Sequence, residues 1–201
     1  MVYSIRFFSV VMAALLVGGC TKTKVERVPL DTKIDLSGEW NDYDAMQVAK
    51  NMVEDSLSAR WLDSFTDTNK RDPVVIVGHV VNMSDEHVDS LVFTKYLERE
   101  LINSGRVVFV ASPEERTDIR GERDDQQKGY TDPETMKKIG KERGADFMMI
   151  GNLSSVKDAV KGKSVIYYQV NLELVNLETN EKVWIGRQEI KKSVKVSRFS
   201  L

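Results

Sequence analysis

"SVIYYQVNLELVNLETNEKVWIGRQEIKK", residues 164–192, is the stretch that decides the fold. Val165, Tyr167, Gln169, Asn171 and Glu173 alternate with Ile166, Tyr168, Val170, Leu172 and Leu174. A period of two puts the second set on one face of a strand and the first on the other, so one face is turned to a core. "NLETNEK" supplies turn residues, and a second arm returns from it. A connection this short makes the two arms antiparallel. The second arm carries Lys182, Arg187, Glu189, Lys191 and Lys192, a charge load that suits a water-soluble sheet.

Two more strands stand upstream. "DFMMIGNLSSV", residues 146–156, is apolar enough to be buried. "PVVIVGHVV", opened by Pro73, is a nearly continuous β-branched run, the pattern of a central strand covered on both faces. "RVVFV", residues 106–110, predicts a further short strand. Helical periods fill the gaps. Ala45, Val48, Ala49, Met52, Val53, Leu57, Trp61 and Leu62 recur at spacings of three and four, predicting one helix of about twenty residues. Asn41 or Asp42 caps it, with Asp44 near its positive end. Leu91, Val92, Tyr96, Leu97, Leu101 and Ile102 predict a second helix, capped by Asp89 and ended at Asn103-Ser104-Gly105. Glu114 to Gln127 reads as an exposed helix weakened by Gly121, and "DPETMKKIGKERGAD", residues 132–146, as a helix capped by Asp132 and closed by Gly144. The expected order is α-β-α-β-α-α-β-β-β: an α/β (α+β) fold with a mixed sheet and helices packed on it.

Ahead of this domain the chain changes character. Arg6 is followed by an apolar run from Phe7 to Leu16, shorter than the roughly 20 residues that span a bilayer. Leu16-Val17-Gly18-Gly19-Cys20 then resembles a bacterial lipobox, and Cys20 is the only cysteine in the chain. That resemblance implies acylation of the Cys20 sulfur and cleavage between Gly19 and Cys20. More than one acyl chain anchors stably. Residues 1–19 are read as a signal peptide, 20–35 as a lipidated Cys and short tether, and 36–201 as a single domain. Thr21 replaces the Asp that retains enterobacterial lipoproteins at the inner membrane, which favours the outer membrane with the domain facing the periplasm.

The formal charge of −2 provides no global field for nucleic acid. With Cys20 acylated no thiol is left for disulfides. Among 201 residues, 41% are apolar and 30% charged, an ordinary globular balance.

"DLSGEWNDYD", "PVVIVGHVVNMSDEH", "LINSGRVVFV", "GADFMMIGNLSS" and "YYQVNLELVNLETNEKVW" together resemble the LpoB family of outer-membrane lipoproteins, activators of bifunctional penicillin-binding proteins. The pieces run from residue 35 to about residue 192. The resemblance implies a fold like the amino-terminal domain of TolB. It implies a binding module, a monomer with no catalysis of its own, that docks on the regulatory domain of a class A penicillin-binding protein and stimulates peptidoglycan synthesis. The long linker of enterobacterial members is absent: the tether here is about 15 residues, at most roughly 50 Å extended.

Candidate chemistry is sparse. His79 lies in an apolar strand and His87 in the "SDEH" loop, without a third nitrogen or sulfur ligand nearby for a metal. There is no G-x-S-x-G elbow, phosphate loop or G-x-G-x-x-G, and no cofactor is expected. The carboxylates of "SDEH" and "DDQQ" read as solvated. Trp40 is expected to lock the chain onto the domain, and the basic end, Lys191, Lys192, Lys195 and Arg198, to be a solvated tail open to anionic lipid or an acidic partner. The alternative is a curli-secretion-like oligomeric lipoprotein, whose pore needs lipid-facing hairpins of about 10 residues per strand.

Overall fold

In the computed structural model, which describes residues 24–29 and 31–195, the decisive hairpin is two 14-residue strands, β4 (Lys163–Asn176) and β5 (Lys182–Lys195). They join β3 (Phe147–Val160), β1 (Val74–Asn82) and the two-residue β2 (Val108–Phe109) in one sheet of order β2-β1-β3-β4-β5. β1 runs parallel to β2 and β3, while β3–β4 and β4–β5 are antiparallel. The sheet is therefore mixed, as expected. Ile166, Tyr168, Val170, Leu172 and Leu174 are all buried, and the alternating residues of β4 are half-exposed or exposed.

Two helices pack together against the sheet. α1 (Asp42–Ser58) packs on α3 (Ser90–Asn103); α1 reaches β5, and α3 reaches β1 and β2. Asn41 caps α1 with a reciprocal bond to Asp44, and Asp89 caps α3. α4 (Pro113–Gln126) begins on a Ser112–Glu115 capping box and buries no residue. The first four residues of β1 are buried, as a covered central strand requires; beyond Val77 a register shift against β3 returns it to alternation.

The element order departs from expectation twice. The first helix is two, α1 and α2 (Arg60–Asn69), divided at Ala59. At the break the Ser56 carbonyl, which a continuous helix would offer to residue 60, accepts the Trp61 indole N–H at 2.7 Å and the Ala59 N–H at 3.2 Å instead. The apolar spacing survives the break because Trp61 and Leu62 still turn inward. Second, residues 132–146 are turns and irregular chain rather than a helix. Asp132 does organise a single turn, accepting from Glu134 N–H at 3.0 Å. Propagation fails because Gln126 accepts the Lys137 N–H at 3.0 Å and Gln127 donates to the Lys137 carbonyl at 3.2 Å. Ile139 is 61% exposed, and Gly140 takes φ +75°. Without an apolar face to bury, one turn does not repay its nucleation. The order is α-α-β-α-β-α-β-β-β.

Candidate functional site

The chain N-terminal to the domain arrives where three sequence-distant groups meet. The compact unit that carries the sheet begins at Lys33. Ile34 and Asp35 are already held by the Asn41 side chain, whose amide donates to the Ile34 carbonyl at 3.2 Å and to Asp35 at 2.8 Å. Lys192 reaches the same place from β5. Its ammonium donates to Asp35 at 2.7 Å, to the Glu39 carbonyl at 2.8 Å and to Asp44. Its side chain is 8% exposed. The expected solvated end is thus a buried ion-pair clasp at Lys192, with Lys191 and Lys195 exposed around it; Arg198 lies outside the described residues. Burial pulls the Lys192 ammonium toward neutrality, but the hydrogen bonds and charges of Asp35 and Asp44 outweigh it and its pKa is raised. The same bond to Lys192 holds the Asp35 carboxyl below its usual value.

Beside the clasp is an aromatic knot. The Trp40 indole stands edge-on to Tyr168, with ring centroids 5.6 Å apart, and to Phe93 at 6.3 Å. Glu86 ties both: it accepts the Tyr168 hydroxyl at 2.5 Å and the Trp40 backbone N–H at 3.0 Å. Burial first, then the Glu86 carboxylate, push the Tyr168 phenol well above its ordinary value. Trp40 therefore locks the chain on the domain as expected. Glu86 was expected to be solvated; it instead binds the knot, because the Asn82 side chain donates to its carbonyl at 2.8 Å and folds the loop inward.

Along β3, β4 and β5 the sheet face opposite the buried β4 row is polar and partly exposed. Tyr167 donates to Gln169 at 3.1 Å, Gln169 to Asn171 at 3.0 Å, and Asn171 to Asn152 at 3.2 Å across β3. This row of side-chain amides runs along β4 with Arg187 and Glu189 beside it on β5. It offers donors and acceptors over a flat area, the property of a docking surface rather than a pocket.

The other singled-out residues do not converge. His79 is exposed within the β1–β3 register shift, and His87 is exposed on its loop. Asp124 and Asp125 are exposed near the end of α4, matching the solvated reading. Among the described residues no three His, Cys, Asp or Glu side chains stand close enough to share a metal ion. Gly19 and Cys20 lie outside the described residues. A depression of about 400 Å³ between α4 and the following segment is lined by Arg120, Arg123 and Glu142. Both arginines are spent on Glu142, at 2.8 and 2.7 Å, and Arg120 foremost lowers its carboxyl to about 2.

Sequence reading missed Lys192, although the signal was there: alternation through Trp184 and Ile190 puts Lys192 in phase with the inward face. Glu86 has no such signal, since a loop has no period.

The profile of a family described as peptidoglycan-synthase activator LpoB matches residues 44–190. The C-terminal domain of LpoB from Escherichia coli superposes with TM-score 0.45 and 18% identity, over 75% of this chain and 100% of that one. The Salmonella enterica LpoB C-terminal domain gives 0.42 and 17% over the same shares. The solution structure of E. coli LpoB gives 0.42 and 16%, over 88% of this chain and 84% of that one. No curated protein matches the chain by sequence.

Proposed function

The chain belongs to the LpoB family of peptidoglycan-synthase activators, and from that premise we propose that it is a lipid-anchored envelope protein that binds a class A penicillin-binding protein and raises its activity. One observation carries the reading: the match from residue 44 to residue 190 runs from the first turn of α1 into β5, so it takes in the helices and nearly all of the sheet. The partner is the synthase's regulatory domain, and this chain contributes binding energy rather than chemistry. An activator of this kind works by preferring the active conformer of its partner; the stimulation equals its differential affinity for the two states. The open face of β3, β4 and β5, with its row of amides, supports docking on a folded domain. The anchor is Cys20, the residence the outer membrane on its periplasmic side, and the protein works as a monomer.

The test uses the full chain purified in detergent. Added to a class A penicillin-binding protein, it should co-purify with the enzyme and increase both glycan polymerisation and peptide crosslinking, and it should sediment alone as a monomer. No co-purification and unchanged polymerisation would sink the proposal. A ring of many copies would instead favour the curli-secretion-like alternative.

A further inference from the structure

The end of the sheet nearest the clasp carries more positive charge than it neutralises. On the open face, Lys163 and Lys195 are directly opposite each other on β4 and β5, and Lys191 is opposite Tyr167. Like charges directly opposite across a ladder are unfavourable. No carboxylate pairs with these three, nor with Lys157 or Lys161, among the described residues. Asp158 is the one acid on the same end of β3 and is itself unpaired there. Apolar side chains sit among the lysines: Val156 is 65% exposed and Val160 71%. Register puts Val156 beside Tyr167 and Val160 beside Lys163. The β3–β4 turn, Lys161-Gly162, projects with every residue from 157 to 163 exposed.

We propose that this end of the ribbon, with Lys163, Lys191 and Lys195 set around Val156, Val160 and Tyr167, docks on an anionic lipid bilayer. Charge is complementary to phosphate headgroups, and lysine stems with a tyrosine and valines suit the boundary between headgroup and acyl chain. The polypeptide also enters the domain at this end. On the core face of this end of β5, opposite the lysines, Lys192 holds Asp35, and Gly38 lies so close to Val194 that a Cβ there would stand 2.2 Å from its methyl. A chain anchored upstream of Lys33 therefore joins the domain at its lysine-rich end. The inference rests on the envelope reading above for the presence of a membrane and of an anchor upstream of the domain.

The experiment is hydrogen exchange on the full chain reconstituted in vesicles, either phosphatidylcholine alone or phosphatidylcholine mixed with phosphatidylglycerol. Amides of the β3–β4 turn should exchange more slowly on the anionic vesicles, by at least about fivefold, the factor a single lysine near such a surface contributes. High salt should abolish the difference. The Lys157→Gln/Lys163→Gln/Lys191→Gln/Lys195→Gln variant should lose it too, with β4 core amides as protected as in wild type to show the fold intact. Equal exchange on the two vesicles, or undiminished protection in the variant, overturns the proposal. So does protection by a soluble polyanion in place of vesicles. Stimulation of the synthase in detergent is measured in parallel. Its absence in wild type and variant alike would reject the activator reading and leave the lipid result standing.

Discussion

An ammonium 8% exposed, placed between the carboxylates of Asp35 and Asp44, gives Lys192 its energetic weight. Taking charges out of water is costly, and a buried pair adds stability only when its partners remain. Lys192→Met should therefore destabilise the domain by about 3 kcal/mol, chiefly by stranding Asp44, whose side chain is 5% exposed. Adding Asp44→Asn should recover part of the loss, which urea denaturation of the single and double variants would measure; an unchanged double variant would mean the cost is lost packing instead. The clasp also has a pH window. The Asp35 carboxyl lies below its ordinary 3.8, so its contribution is present above that value and lost as pH falls through the depressed one. Lys192 lies above its ordinary 10.5, so its contribution is present below that value and lost as pH rises through the elevated one. The stability gap between wild type and Asp35→Asn should accordingly be widest between about pH 5 and 10 and close below pH 4; a gap independent of pH would show that Asp35 acts by shape alone. Half of this clasp was legible in the sequence. Lys192 follows from strand phase, whereas Asp35 sits in a segment with no period, and only the Asn41 side chain brings it in.

At the scale of elements, spacing told which residues turn inward but not where the backbone breaks. Trp61 and Leu62 keep the helical spacing of α1 although a non-helical residue, Ala59 at φ −78° and ψ 154°, separates them from it. That conformation makes a sharp prediction. Ala59 already occupies the extended region favoured before proline, and Arg60 is the first residue of α2, where a missing N–H is harmless. Arg60→Pro should leave stability unchanged or raise it by about 0.5 kcal/mol. In one continuous helix the same change would cost about 3 kcal/mol. A thermal melt separates the two outcomes. The segment after α4 teaches the converse. Asp132-Pro133 is a sound helix start, yet amides from the end of α4 bind its backbone first. Local signals are outbid there by side chains whose arrival no local window contains.

For the molecule as a whole, the alternation of β4 and the apolarity of β1 were enough for a mixed sheet under helices. The adjacency of β1 and β3 was not readable, because a parallel pairing across more than sixty intervening residues leaves no local trace. On β3, β4 and β5 the face opposite the buried β4 row is polar and exposed to partners, and the proposed lipid anchor would bring it to a membrane. Replacing residues 1–20 with an ordinary cleavable export signal tests the anchor without trapping an unprocessed precursor, as Cys20→Ala would. Cys20 precedes the described domain, so the exported domain should melt at the same temperature as the full chain. Acyl chains contribute roughly 0.8 kcal/mol per buried methylene, an affinity no described helix can replace, since none is long and apolar enough to cross a membrane. The exported form should therefore be recovered soluble and should fail to support synthase activation in cells, while stimulating the purified enzyme normally. At low ionic strength a fraction should still sediment with membranes through the lysine-rich end of the ribbon, and a high-salt wash should release it. Retention through that wash would mean that a second, apolar membrane contact exists and that Cys20 is not the device that holds the protein in place.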